Sequence, residues 1–231
     1  IAEKENIILA ADYSQIELRI AAHIANDKEM IAAFQRGEDI HAHTAAYIYG
    51  VKAKDVTDEQ RRHAKTLNFG VLYGMGVSSF ARSTGLPREE AQLFIDQYFT
   101  VHDGIREYVE TTKALARKLG YVETLFGRRR YLPEIKADHP MLRASAERMA
   151  VNHPIQGTGA DILKLAMIKI QKELPDLAMT MQVHDELVFE VPKHEANNVA
   201  RKLLPLLENI IKLKVPMKVD ISSGPTWGDL E

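Results

Sequence analysis

The sequence predicts an α+β fold: an antiparallel sheet with helices packed on it, and a mostly helical middle. Three observations predict this. Residues 7–11, Ile7-Ile8-Leu9-Ala10-Ala11, form a short continuous apolar run of the length of a strand buried on both faces. Two strand-like segments, 177–183 and 186–191, are separated only by His184-Asp185, which is a tight hairpin and so an antiparallel pair. Between these regions, residues 24–120 read almost throughout as amphipathic helices.

Composition sets the outer bounds. The chain has 231 residues, 45% hydrophobic and 27% charged, enough for a substantial core. It contains no cysteine, which excludes disulfides and thiolate metal sites. Its net charge of −2 gives no overall basic excess, so any nucleic-acid contact must come from local clusters. No apolar run reaches membrane-spanning length and no signal-peptide pattern opens the chain, so no membrane partner and a cytoplasmic setting are expected. The first residue is Ile1 rather than Met, as in a piece of a longer protein.

The apolar run 7–11 stops on a carboxylate, Asp12. A carboxylate at the mouth of a buried strand is costly unless a cation or hydrogen-bond donors meet it. Ser14 and Glu17 read as a capping box that opens a helix through Leu18, Ile20, Ala21 and Ile24. Asp12 then sits at a strand-to-helix corner, which suits a catalytic carboxylate and equally a surface Asp before a helix. Further helices are expected over 30–34, ended by Gly37, and over 40–49, ended by Gly50. The pair His41 and His43 lacks a third ligand at helical spacing, and no zinc site is expected.

Thr57 and Gln60 form a second capping box, starting a helix that runs to Gly74. Arg61, Lys65, Phe69 and Tyr73 are each four apart on it and form one slowly drifting stripe. The two cations have no acidic partner four residues on. Cations suit phosphate and flat aromatics suit a stacked base, although a surface helix with aromatics tucked into the core fits too. Pro87 is expected as the first residue of a helix with Ala91, Phe94, Ile95 and Tyr98, and another helix runs over 105–119 to Gly120.

Residues 121–132 favour strand with a turn at Gly127, followed by Arg128-Arg129-Arg130, either a solvated patch or a phosphate track. A helix over 141–149 is expected to be interrupted at Pro154 and Gly157 and to resume over 160–174. Arg148, Asn152 and Gln156 are four apart at that junction. After the hairpin come a helix over 194–211 and a last strand over 215–221.

Asp12 at the end of one strand and Asp185 at a hairpin tip can hold a pair of hard divalent cations. With the cationic and aromatic stripe, this describes a nucleoside triphosphate over two metals. At these residues the chain resembles the A family of DNA polymerases. The stretch Asp12-Tyr13-Ser14-Gln15-Ile16-Glu17-Leu18-Arg19 is similar to its first signature. Arg61-Arg62-His63-Ala64-Lys65-Thr66-Leu67-Asn68-Phe69-Gly70-Val71-Leu72-Tyr73-Gly74 is similar to the second, and Val183-His184-Asp185-Glu186 to the third. The segment 147–157, with Arg148, Asn152 and Gln156, matches as well.

The resemblance implies palm elements over 1–25 and 121–231 and fingers over 26–120, with the thumb and the first part of the palm lying outside this chain. It implies template-directed DNA synthesis in replication and repair, in a bacterial, nucleoid-associated setting. The reaction is attack of a primer 3′-hydroxyl on a dNTP, releasing pyrophosphate. Asp12, Asp185 and the carbonyl of Tyr13 would bind two Mg²⁺ ions, for which Mn²⁺ could substitute. Glu186 and Lys65 would complete the catalytic set, Lys65 as a proton donor to the leaving group. Gln15, Glu17, His41, Arg61, Lys65, Phe69 and Tyr73 would contact the nucleotide, with Glu17 crowding a ribose 2′-hydroxyl. Arg148, Asn152, Gln156 and His184 would contact primer-template DNA. The N-terminal half of the polymerase domain would be a partner in activity. The rival readings are a related single-subunit RNA polymerase, a fragment that binds nucleic acid without catalysis, and a two-metal nuclease.

Overall fold

The structure, a computed structural model, describes residues 1–230 and has the predicted α+β character. The chain divides into two compact units: residues 1–16 with 159–231, and residues 17–158.

The first unit is built on a four-stranded, fully antiparallel sheet. Strand β1 (Asn6–Tyr13) is central. It pairs with β5 (Glu186–Pro192) on one side and with β6 (Val219–Gly224) on the other, and β4 (Ala178–Val183) lies beyond β5. The apolar run explains that place: Leu9, Ala10 and Ala11 are almost fully buried, as only an interior strand allows. Helix α9 (Ala196–Glu208) covers one face, burying Leu203 and Leu207, and Tyr13 donates its hydroxyl to the Leu207 carbonyl at 3.0 Å. The last strand begins at Val219 rather than at residue 215. Val215 and Met217 are buried in the preceding irregular segment, so their apolar signal reflects packing and not the ladder.

The second unit is helical except for one small hairpin. Helices α1 (Ile16–Ala25), α2 (Lys28–Gln35), α3 (Ile40–Tyr49), α4 (Asp58–Leu72), α5 (Val77–Thr84), α6 (Arg88–Val101) and α7 (Asp103–Leu119) follow in order. Asp27 caps α2 and Asp39 caps α3, two caps the sequence reading did not single out, and Thr57 with Gln60 forms the expected box on α4. Pro87 stands one residue outside α6, at its N-cap. Strands β2 (Tyr121–Glu123) and β3 (Arg129–Tyr131) form the hairpin.

Two expectations are corrected by geometry. The helix expected to open on Ser14 starts at Ile16, because Gln15 has φ 53 and cannot be the first helical residue, so Ser14 stands two residues ahead of α1 rather than at its N-cap. Nor does Pro154 interrupt its helix: α8 (Pro140–Glu173) is continuous over 34 residues. A proline inside a helix costs about 3 kcal/mol from a lost hydrogen bond and a clash. Continuity keeps Ala146, Ala150, Val151 and Ile155 buried. Side chains also attend to the carbonyls nearby: Tyr108 donates to Val151 O at 2.6 Å, Thr158 to Pro154 O at 2.6 Å, and Arg128 to Gly157 O at 2.9 Å. Gly157 permits that approach, since a Cβ there would stand 2.7 Å from Thr124 Cγ2.

Candidate active site

The first unit places a row of carboxylates across three strands. Asp12 lies directly opposite Glu186 on β5 and opposite Asp220 on β6. Directly opposed residues of an antiparallel pair project to the same face, with Cβ atoms about 4.5–5.5 Å apart. Three acids therefore stand in a line, and Asp185 at the hairpin tip is beside them. Tyr13 N–H donates to Asp185 O at 3.2 Å, tying the end of β1 to the tip. Burial and then the charges of Asp185, Glu186 and Asp220 push the Asp12 carboxyl up to about 6. Glu186 is held by Trp227, whose Nε1–H donates to Oε1 at 2.8 Å.

His184 is exposed at the tip with φ 52, and its carbonyl accepts from Gln182 Nε2 at 2.6 Å. The tip thus needs one left-handed residue, which lets only two residues join β4 to β5. Tyr13 itself is buried, its phenol turned to Leu207 and its backbone at the end of the row.

Cations fit this donor set. All the groups are hard oxygens, and burial, with their mutual repulsion added to it, raises Asp12, a penalty that a divalent ion would relieve. Among the described residues no three His, Asp or Glu side chains are placed to enclose an ion.

The second unit carries the helical stripe. On α4 the residues His63, Ala64, Leu67, Asn68, Val71 and Leu72 are buried, while Lys65 and Tyr73 are exposed and Arg61 and Phe69 half-buried. Arg61, Lys65, Phe69 and Tyr73 therefore share the open face. Arg61 is not without an acidic partner: its Nε donates to Asp39 Oδ2 at 2.7 Å. The partner comes from the N-cap of α3, a neighbour that spacing along α4 could not reveal. Tyr73 donates its hydroxyl to Glu17 Oε2 at 2.6 Å, so Glu17 is held by α4 rather than by the start of its own helix.

His41, on α3, is almost fully buried against Phe69, with ring centroids 5.7 Å apart. Burial, opposed by Asp39 and reinforced by Arg61 and Lys65, pushes its pKa down to about 4. The ring is neutral at physiological pH and lies within the field of both stripe cations.

Arg148, Asn152 and Gln156 occupy α8 at helical spacing; Arg148 and Gln156 are exposed and Asn152 half-buried. Arg148 packs over Gly74, where φ is 68 and a Cβ would come within 2.5 Å of its Cγ. The three consecutive arginines have partners inside their own unit: Arg128 on Gly157 O, Arg129 on Glu123 at 2.6 Å, and Arg130 on Met149 Sδ at 3.0 Å.

Sequence reasoning missed Asp220, Asp39 and Asn68. Asp220 was legible only as one polar residue in a strand, and its place opposite Asp12 depends on register. Asp39 was not singled out at all; its two roles, as the N-cap of α3 and as the partner of Arg61, both come from the fold.

Against known proteins, this chain matches DNA polymerase family A over residues 1–229, and it belongs to that family. It is 47% identical over 229 residues to the thermostable DNA polymerase I of Thermus aquaticus, covering 98% of this chain and 28% of that protein. It is 48% identical over 231 residues to DNA polymerase I of Deinococcus radiodurans, covering 99% of this chain and 24% of that one. The chain thus spans about a quarter of the length of these relatives. Among solved structures it superposes on the POL domain of Pol1 from M. smegmatis, in complex with DNA primer-template and dNTP. The TM-score is 0.95 at 38% identity, over 100% of this chain and 41% of that one. Among the described residues, no helix is long and apolar enough to cross a membrane.

Proposed function

We propose that this chain is the part of a bacterial family A DNA polymerase that carries out nucleotidyl transfer from a dNTP to a primer 3′-hydroxyl, releasing pyrophosphate. The observation that carries the reading is Asp12, held at the end of a buried strand in a row with Glu186 and Asp220 and beside Asp185. In this reading, residues 1–25 and 121–231 are palm and 26–120 fingers. The partners are primer-template DNA, dNTP and the rest of the polymerase domain, in a cytoplasmic, nucleoid setting.

Asp12 and Asp185, with the Tyr13 carbonyl, would hold two Mg²⁺ ions. When bound, such ions supply Lewis-acid stabilisation of charge on the attacking and leaving oxygens. The protein's own groups do the rest. Arg61 and Lys65 attract the triphosphate, and Asp39 steadies the Arg61 guanidinium. Lys65, exposed and unbranched, is the group able to give a proton to the departing pyrophosphate. Phe69 and Tyr73 offer flat faces to the incoming nucleotide and the templating base, with Gln15 and His41 as further nucleotide contacts. Glu17, fixed by Tyr73, crowds the 2′ position of the sugar. Glu186 and His184 lie by the primer end. Arg148, Asn152 and Gln156 contact the duplex, where minor-groove acceptors are nearly the same for every base pair and so report shape rather than sequence.

The test is primer extension by the full-length polymerase. Asp12→Asn is expected to abolish extension while the primer-template Kd stays within about twofold, because duplex affinity rests on phosphate contacts elsewhere. Near-normal extension would remove Asp12 from the reaction.

A further inference from the structure

Behind the open face of α4 lies a line of buried polar side chains that the proposed chemistry does not use. Asn68 is fully buried; its Nδ2 stands 3.0 Å from His41 Nδ1, and its Oδ1 lies 3.2 Å from Thr44 Oγ1, whose single proton is shared with the Ile40 carbonyl at 2.8 Å. Thr44 Oγ1 is 3.5 Å from His102 Nε2, and His102 Nδ1 is 3.1 Å from Asp27 Oδ1. Thr44, His102 and Asp27 are buried as well. Asp27 also accepts from Met30 N–H at 2.9 Å and Ile105 N–H at 3.4 Å, which fixes the far end of the line.

The two ends of the Asn68 amide are not equivalent for His41. With Nδ2 turned to the ring, Nδ1 accepts, and the single proton of a neutral imidazole must sit on Nε2. With the amide reversed, Oδ1 would face the ring, the proton would move to Nδ1, and Nε2 would present a lone pair. A lone pair repels phosphate oxygen, whereas an N–H donates to it. His41 lies against Phe69 and in the field of Arg61 and Lys65, where a triphosphate is proposed to bind. The cations attract any phosphate. The donor adds a directional, charge-assisted hydrogen bond that the diffuse attraction of the cations does not supply.

We infer that Asn68 is a positioning residue for His41, fixing the imidazole as its Nε2–H tautomer so that it donates a hydrogen bond to the phosphate chain of a bound nucleoside triphosphate. The inference rests on the reading of His41 as a nucleotide contact.

The experiment uses the full-length polymerase with ¹⁵N-labelled histidine, and steady-state extension with dNTP. Wild-type His41 is expected to carry its proton on Nε2. Asn68→Asp offers only acceptors, so the proton should move to Nδ1 and the dNTP KM should rise about tenfold, the effect of one lost charge-assisted hydrogen bond. Primer-template Kd should stay unchanged. In a His41→Ala background the same change should alter KM by less than about twofold, since the two residues then act as one unit. Asn68→Leu provides a second variant without a buried charge and should behave likewise in KM. A wild-type proton on Nδ1, or KM effects that multiply in the double variant, overturns the inference. A normal KM in His41→Ala together with an Nε2–H ring would instead remove His41 from the nucleotide, so the two failures are distinguishable.

Discussion

The backbone N–H of Tyr13 donates to the carbonyl of Asp185 at 3.2 Å, and this bond brings together two acids that lie far apart in the sequence. Asp12 directly precedes the donor on β1, and Asp185 itself supplies the accepting carbonyl. Their placement is thus set by main-chain geometry rather than by their own side chains, and either acid can be replaced without moving the other.

That independence gives a prediction about stability. Asp12 faces two directly opposed carboxylates, and like charges in that arrangement destabilise a sheet. In the absence of divalent cations, Asp12→Asn should raise stability by about 1 kcal/mol, the opposite direction to its expected effect on extension. Thermal melts with and without Mg²⁺ check it. The stabilisation should shrink when Mg²⁺ is present, because the ion relieves the same repulsion in the wild type.

Lys65→Ala should raise the dNTP KM about tenfold or more, as expected for losing one charge-assisted contact, and leave primer-template Kd within about twofold. Lys65 is exposed on the face of α4 shared with Arg61. Nucleotide kinetics beside a DNA-binding titration separate the outcomes; a change confined to DNA affinity would assign this face to the duplex.

Glu17 and Tyr73 should act together in sugar selection. Glu17→Ala opens space at the 2′ position, and the ratio of kcat/KM for a deoxynucleotide over its ribonucleotide should fall about 10- to 100-fold, equivalent to about 1.4–2.8 kcal/mol. Tyr73→Phe removes the 2.6 Å bond that holds Glu17 and should lower the ratio by a smaller factor. An unchanged ratio in both would leave Glu17 a structural partner of Tyr73.

The Asp27–His102 pair predicts acid sensitivity. Burial alone would raise the Asp27 carboxyl, but the hydrogen bond and charge of His102 and the N–H groups of Met30 and Ile105 outweigh it, leaving its pKa below the ordinary value. A depressed carboxyl contributes stability that is present above its unfolded pKa of about 3.9 and is lost as pH falls through the lower folded value. Asp27→Asn should cost about 3 kcal/mol at neutral pH and flatten the stability profile below about pH 4. Denaturant titrations across that window read both effects.

Much of this was legible in the sequence because local rules agreed with the fold. The apolar run 7–11, the Thr57–Gln60 box and the two-residue gap at His184-Asp185 each gave a strand, a helix start or a hairpin from local rules, and each element stands where those rules put it. Failures came where long-range packing outweighed local preference. Pro154 stays inside a helix because the burial of Val151 and Ile155 depends on it, and Glu17 leaves its own helix start for Tyr73. The opposition of Asp220 to Asp12 is a matter of strand register, which no spacing along a single strand expresses.

Gln15 and His184 have a consequence beyond geometry. Both hold left-handed backbone, φ 53 and φ 52, one three residues after Asp12 and the other immediately before Asp185. A glycine would adopt either conformation more easily, so a side chain at these points is kept against the interest of folding. In the proposed reading these are positions where thermal robustness and performance oppose each other. Glycine at residues 15 and 184 would ease the backbone and cost the nucleotide and primer contacts proposed for these side chains.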